Sequence, residues 1–152
     1  MSRVTEPELQ PVTDAIVTLE PPRPGDAERL VAGRDEEFFR WLGPGSQTPA
    51  PVACIRVAEE LVGWVDYDLE HGWLRPGEVN VGYYLFPAAR GKGYASRAVE
   101  LLLQHLRGNT EHTAATLVID PENVRSLALA RRLGFEEKGR IEKGLFFTRR
   151  LR

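Results

Sequence analysis

Val79-Asn80-Val81-Gly82-Tyr83-Tyr84-Leu85-Phe86 is followed within a few residues by Arg90-Gly91-Lys92-Gly93-Tyr94-Ala95, and then by an amphipathic stretch that lasts to Arg107. The first segment reads as a strand, the last as a helix, and the glycines as the turn between them. A strand that turns through glycines straight into a helix presents unpaired backbone N–H groups and the positive helix end to one point, the usual way of cradling a phosphate. The pattern therefore predicts a phosphorylated cofactor.

Outward from this unit the pattern alternates between short strands and helices. On the N-terminal side, Met1 to Pro11 is polar with two prolines and is expected to be a flexible arm with nothing to bury. The remaining residues, 12–152, are expected to form one domain. Ala15 to Leu19 reads as a short strand. Asp26 and Asp35 are placed to cap two helices, the second carrying Phe38, Phe39, Trp41 and Leu42. Gly43 to Pro51 reads as a loop. Val52 to Ala58 and Leu61 to Leu69, turning at Glu59-Glu60, lead after a loop to the strand beginning near Glu78, which makes an antiparallel meander.

On the C-terminal side, Ala114 to Ile119 is continuously apolar, as in a strand buried on both faces, and its position after a helix predicts parallel pairing with the strand ending at Phe86. Asp120-Pro121-Glu122-Asn123 starts a further helix that Gly134 ends in the left-handed conformation. Phe135 to Glu142 and Leu145 to Leu151 make a terminal hairpin turning at Lys143-Gly144, which is the candidate surface for a homodimer. The order is strand, two helices, three strands, helix, strand, helix, two strands.

Composition narrows the functional classes. With 152 residues, 42% of them hydrophobic, one core large enough to fold unaided is expected. A formal net charge of -2 gives no global field for a polyanion, so nucleic acid is not the expected partner. The single cysteine, Cys54, excludes an internal disulfide and sits in an apolar run as a small core residue. No stretch approaches the roughly 20 apolar residues of a membrane span, and the first residues carry acids where a leader would be apolar, so the chain is read as cytoplasmic with no membrane partner. His71, His105 and His112 show no metal-ligand spacing, and no metal is expected.

Among phosphate-binding patterns, the Walker motif fails because Gly91-Lys92 is followed by glycine and tyrosine. The dinucleotide fingerprint fails because its third glycine is replaced by Ser96. A third pattern, Arg/Gln-x-x-Gly-x-Gly/Ala, is matched in full by Arg90, Gly93 and Ala95. Together with Asn123-x-x-Ser126 followed by Leu133-Gly134-Phe135, it makes the chain resemble the GNAT superfamily of acyl-CoA-dependent N-acyltransferases. It is most similar to the branch that includes ribosomal-protein alanine and serine N-acetyltransferases.

The resemblance implies an α/β (α+β) fold: a mixed, mostly antiparallel central sheet of about seven strands flanked by about four helices, with a splayed parallel strand pair. It implies acetyl-CoA as acyl donor and a primary amine, on a protein N-terminus or a small molecule, as acceptor. It places coenzyme A on Tyr84, Leu85 and Phe86, on the turn Arg90, Gly91, Lys92, Gly93, Tyr94, Ala95 and Ser96, and on Asn123 and Ser126. A backbone N–H of the first of these strands, with Leu85 as candidate, would hold the oxyanion. Phe38, Trp41, Trp64 and Asp66 are expected around the acceptor, with Trp73 as a further candidate for its wall and Asp68, on the same strand face as Asp66, for holding a cationic amine or acting as base.

Acyl transfer needs a base for the ammonium and an acid for the thiolate. Glu78 is the first base candidate, with Asn80 two residues on along the same strand face. Many relatives carry an acidic tyrosine four residues before the Gly-Phe pair. Here Ala130 stands there, and Ser126, or a water held by Asn123, is expected to serve instead. The missing tyrosine leaves one alternative, a module that binds acyl-CoA without turnover.

Overall fold

The computed structural model describes residues 6–152 as one mixed sheet of eight strands with four α-helices around it. The strands are β1 (Val12–Thr13), β2 (Val17–Glu20), β3 (Ala53–Val57), β4 (Glu60–Asp68), β5 (Glu78–Leu85), β6 (Ala114–Ile119), β7 (Glu136–Ile141) and β8 (Gly144–Arg150). The helices are α1 (Asp26–Ala32), α2 (Glu36–Leu42), α3 (Tyr94–Asn109) and α4 (Val124–Arg132), with a 3-10 turn at Pro87–Ala89. The spatial order is β1-β2-β3-β4-β5-β6-β8-β7.

Every neighbouring pair is antiparallel except β5 and β6, whose crossover is α3. That parallel ladder is short. It joins Glu78 to Ala114, Val79 to Ala115 and Asn80 to Thr116, and then stops, although both strands continue. β4 stays paired with β5 up to Leu85, and β8 stays paired with β6 up to Ile119. The sheet thus divides beyond Asn80 into two halves that part like a V.

The core lies between the sheet and α3. Alternate residues Val79, Val81 and Leu85 of β5 and Val65 and Tyr67 of β4 meet Val99, Leu102, Leu103 and Leu106, the buried stripe of α3. At roughly 1.5–3 kcal/mol per buried aliphatic side chain, this contact is the main adhesive of the central strands. On the opposite face, Leu30, Cys54 and Leu61 are buried with Trp64 and Phe86 against them. Cys54 is fully buried, and its thiol is pushed up to about 12, chiefly by desolvation, as its apolar run predicted.

Several local expectations needed correction. β1 is an additional strand, because Asp14 makes a tight turn in which its carboxylate accepts from the N–H groups of Ile16 and Val17 and Ala15 takes φ +79°. The arm expected to bury nothing is anchored where it is described. Leu9 is 1% exposed in the core, and the Glu6 carboxylate accepts from the Tyr67 hydroxyl (2.9 Å) and lies 2.5 Å from His112 Nε2. Met1 to Thr5 lie outside the described residues.

Asp26 does not cap α1. The cap is Gly25, and the Asp26 carboxylate turns inward to accept from Arg23 N–H and the buried Arg56 guanidinium. The meander turns at Ala58-Glu59, one residue earlier than expected, with both residues at positive φ as a two-residue hairpin of this type requires. Asp35 does cap α2, accepting from Phe38 N–H, and Gly134 ends α4 at φ +79°. Among the described residues, no helix is long and apolar enough to cross a membrane.

Candidate active site

The V between β5 and β6 opens into a cleft of about 1010 Å³ whose walls are β5 from Asn80 to Leu85, β6 from Leu117 to Ile119, and the inner side of α4. Along this stretch one edge of β5 is paired with β4 and the other has no strand beside it. An extended ligand with amide groups meets there what a missing strand would meet.

One end of the cleft is the glycine turn. Gly91 and Gly93 take φ +78° and +83°, a region L side chains avoid, and Gly93 caps α3 without any side chain closing the helix end. The first-turn N–H groups of α3 therefore keep their positive end for a ligand. A Cβ built on either glycine meets nothing within 4 Å, so the space above the turn is open. Gly91, Gly93, Tyr94, Ala95 and Ser96 all line the cleft.

The side chains expected beside them divide. Arg90 lines the cleft, but its guanidinium is directed at α2: it donates to both Asp35 oxygens (2.8 and 3.1 Å), lies 2.9 Å from Glu37, and donates to Leu85 O. These bonds hold the Asp35 carboxyl well below the usual carboxylate range. Arg90 thus ties the turn to α2, leaving anion binding to the backbone. Lys92 is not in the cleft wall. Tyr84 and Leu85 line it, yet the Tyr84 hydroxyl donates away from it to Asp35 and to Gly33 O, and burial together with Asp35 pushes that phenol up to about 12. Phe86 lies outside. Its N–H is taken by Val62 O and its ring packs against the Leu30–Cys54–Leu61 cluster.

On the facing wall, Asn123 caps α4 by accepting from Ser126 N–H, and Ser126 Oγ stands 2.6 Å from the Tyr83 hydroxyl. Tyr83 was not singled out as a side chain in the sequence. It shares the core-facing phase of Val81 and Leu85, which masked it as packing. Burial raises its phenol pKa, with the Ser126 hydrogen bond pulling partly the other way.

Asn80 and its neighbour Asp68 stand where β5 and β6 begin to part, and His71, Trp73, Trp41 and Lys143 complete the lining of the cleft. Asp68 and Asn80 are directly paired across β4 and β5. His71 Nε2 lies 2.7 Å from Asp68 Oδ1, out of hydrogen-bond alignment, and its ring stacks on Trp73 at 4.1 Å and 19°. The Lys143 ammonium sits 5.7 Å from the Trp73 ring, linking the last hairpin to this wall. Sequence spacing gave no sign of this grouping, because the loop after β4 and the turn before β8 are far apart in the chain.

Glu78 and the remaining acceptor candidates stand elsewhere. The Glu78 carboxylate accepts from Arg75 N–H at 2.8 Å and is not part of the cleft wall. Asp66 accepts from Val52 and Tyr67 N–H groups, and desolvation raises its pKa. Phe38 is buried edge-on to Tyr84, and Trp64 packs with the Leu30 cluster. Of Phe38, Trp41, Trp64 and Asp66, only Trp41 lines the cleft, and the further candidates Trp73 and Asp68 line it too. Among the described residues, no group of three or more His, Cys, Asp or Glu is placed to hold a metal.

The arrangement combines an open strand edge, a helix terminus for phosphate, a hydroxyl pair and an acid–imidazole pair along one cleft. It suits transfer of an acyl group from an extended phosphorylated carrier.

No curated protein matches the chain by sequence. Among solved structures, the acetyltransferase (GNAT family) from Bacillus anthracis superimposes with a TM-score of 0.78 at 15% identity, covering 93% of this chain and 99% of that one. Mycobacterium smegmatis RimJ, solved with CoA-disulfide, gives 0.73 at 20% identity over 93% and 86%. RimL, a ribosomal L7/L12 alpha-N-protein acetyltransferase solved with coenzyme A, gives 0.73 at 15% identity over 93% and 98%. These likenesses establish the fold. The model of the acetyltransferase (GNAT) domain matches residues 50–136, more than half of the chain, and with it the chain belongs to the GNAT family.

Proposed function

We propose that the protein transfers an acetyl group from acetyl-CoA to a primary amine by direct attack, with the pyrophosphate on the α3 N-terminus and the pantetheine arm along β5. The observation that carries this reading is the end of the β5–β6 ladder at Asn80, with the glycine turn at the other end of the opened edge. The backbone N–H groups of Gly91 to Ser96 anchor the diphosphate, while Arg90 supports the turn from behind. The thioester then lies near Tyr83 to Leu85, where a β5 N–H stabilises the oxyanion.

The base in this proposal is His71, whose ring is held by its stack on Trp73 beside the Asp68 carboxylate. Its imidazole takes the ammonium proton as the amine approaches. Glu78, the expected base, is engaged at Arg75, and Asn80 lines the approach beside the pair. A protein N-terminus is the acceptor to test first, since RimL, whose fold this chain shares, is named for one; a small-molecule amine is the other. A homodimer through the terminal hairpin is also proposed. It would bring a second copy to β7, the edge strand beside β8, and sedimentation velocity decides it.

The test is calorimetry with acetyl-CoA, followed by thiol release with a panel of N-terminal peptides and small amines. Tight cofactor binding with no release for any acceptor favours the non-catalytic module. The absent α4 tyrosine, Ala130 in this chain, is the observation behind that second reading.

A further inference from the structure

The hydroxyls of Tyr83 and Ser126 are 2.6 Å apart, although one is on β5 and the other on α4. Both residues line the cleft, and this contact joins its two walls. Tyr83 lies on the unpaired stretch of β5, between the parting of the strands at Asn80 and the glycine turn. If the carrier is held by its phosphates at the turn and runs along β5, as proposed above, each residue of strand advances it by about 3.3 Å and its sulfur passes this pair.

We propose that Tyr83 and Ser126 form a two-hydroxyl relay that protonates the departing CoA thiolate, with Tyr83 supplying from β5 the phenol that α4 lacks at Ala130.

The step balances as follows. The amine nitrogen, having lost its ammonium proton to the base, forms a C–N bond to the acetyl carbon and releases its second proton to water as the amide forms. As the C–S bond breaks, the electron pair leaves on sulfur. Sulfur takes the proton of Ser126 Oγ while Ser126 takes the proton of Tyr83 Oη, and the phenolate regains a proton from water as products leave. No oxidant or reductant is needed. Two hydroxyls in sequence polarise each other, so the outer one donates more strongly than a lone serine would. Burial raises the Tyr83 phenol and the Ser126 hydrogen bond offsets part of that rise, so the phenol gives up its proton only as Ser126 passes its own to the developing thiolate. The charged and titratable groups sharing the cleft with the pair are Asp120, Arg125 and Arg132 around α4, Glu37 and Arg40 on α2, Arg90 at the turn, Lys143 before β8, and Asp68 and His71 on and after β4.

The experiment has two arms. In the first, thiol release is followed with acetyl-CoA and an alanyl peptide or spermidine as acceptor, for wild type, Tyr83→Phe, Ser126→Ala and the double variant. A positioned acid contributes about 10²–10⁴-fold, so each single variant is expected to lose at least about 30-fold in kcat with little change in KM for acetyl-CoA. Because the two hydroxyls act as a unit, the double variant is expected to be no slower than the slower single one. Tyr83→Phe turning over at the wild-type rate, or losses that multiply, would overturn the relay.

The second arm needs no acceptor. The Raman S–H band of bound CoA is followed against pH. Donation to the thiolate is expected to lower the titration of the bound thiol below that of free CoA, and Tyr83→Phe to raise it again by about one unit, the size of one charged hydrogen bond. A purely structural tyrosine would leave the band unmoved, and that result sinks the relay alone. Failure of CoA to bind the wild type sinks the function itself.

Discussion

At the scale of single residues, the site depends on a few positions whose chemistry is separable. Gly93 sits at φ +83° with open space above it, so a branched side chain there strains the backbone by about 1–3 kcal/mol and fills the place of the phosphate. Gly93→Val is expected to leave a folded protein of lower melting temperature and to weaken CoA binding by more than tenfold; calorimetry at wild-type affinity would remove the diphosphate from this turn. His71 and Glu78 make an opposed pair of tests. His71→Gln keeps a planar polar side chain near Asp68 but removes the imidazole, and kcat is expected to fall about 10²–10⁴-fold at unchanged CoA affinity. Glu78→Gln keeps an acceptor for Arg75 N–H and is expected to stay within about twofold of wild type. Steady-state kinetics on both variants with one acceptor decide which acid–base group the enzyme uses; the reverse outcome restores Glu78.

At the scale of elements, the glycine turn is held in place by α2, and this coupling is electrostatic. Asp35 caps α2 through Phe38 N–H and also receives Arg90 and the Tyr84 hydroxyl. Its carboxyl is held below its ordinary value, chiefly by the Arg90 hydrogen bonds, so the folded state binds fewer protons than the unfolded chain. The stability this contributes is fully present above the unfolded value near 3.9 and is lost as pH falls from there towards the lower folded value. Asp35→Asn keeps an effective helix cap and removes the charge. It is expected to cost about 1 kcal/mol at pH 7, discounted for solvent access, and to show a flatter decline below pH 4 than wild type. Parallel acid limbs in denaturant titrations would show that Asp35 carries no such linkage. The elements themselves were largely legible: glycines, caps and apolar periodicity located all four helices and the parallel strand, because those signals are local. What escaped was of two kinds. β1 depends on an Asx turn at Asp14, a side-chain bond with no periodic signature. The grouping of Asp68, His71, Trp73 and Lys143, and the reach of Tyr83 to Ser126, depend on loops and walls brought together only in the folded sheet.

At the scale of the whole molecule, the sheet is two unequal parts joined by a seam. β1 to β5 form one part and β6, β8 and β7 the other, and among the described residues the only strand pairing between them is the three-residue ladder from Glu78 to Asn80. Two exposed ion pairs also cross from α2, Arg40 to Glu122 in the turn before α4 at 2.7 Å and Glu37 to Arg125 of α4 at 3.4 Å, and pairs of this kind are each worth about 0–1 kcal/mol. The α3 core holds both parts, but the cleft edge of β5 is left to water or ligand. A carrier lying in the V would therefore act as the missing strand, satisfying β5 on its open edge and joining the two walls. Binding to the folded state alone raises stability by about 2.7 kcal/mol when free CoA is a hundredfold above its dissociation constant. At about 2–4 °C per kcal/mol for a chain of this size, the melting temperature should rise by roughly 5–10 °C. The distribution of that gain is the sharper prediction. Hydrogen exchange should show Val81 to Leu85 and Gly91 to Ser96 poorly protected in the free protein relative to Val99 to Leu106 of the α3 core, and selectively slowed by CoA. Protection spread evenly over the sheet, with no excess at those two segments, would mean that the ligand binds away from the seam.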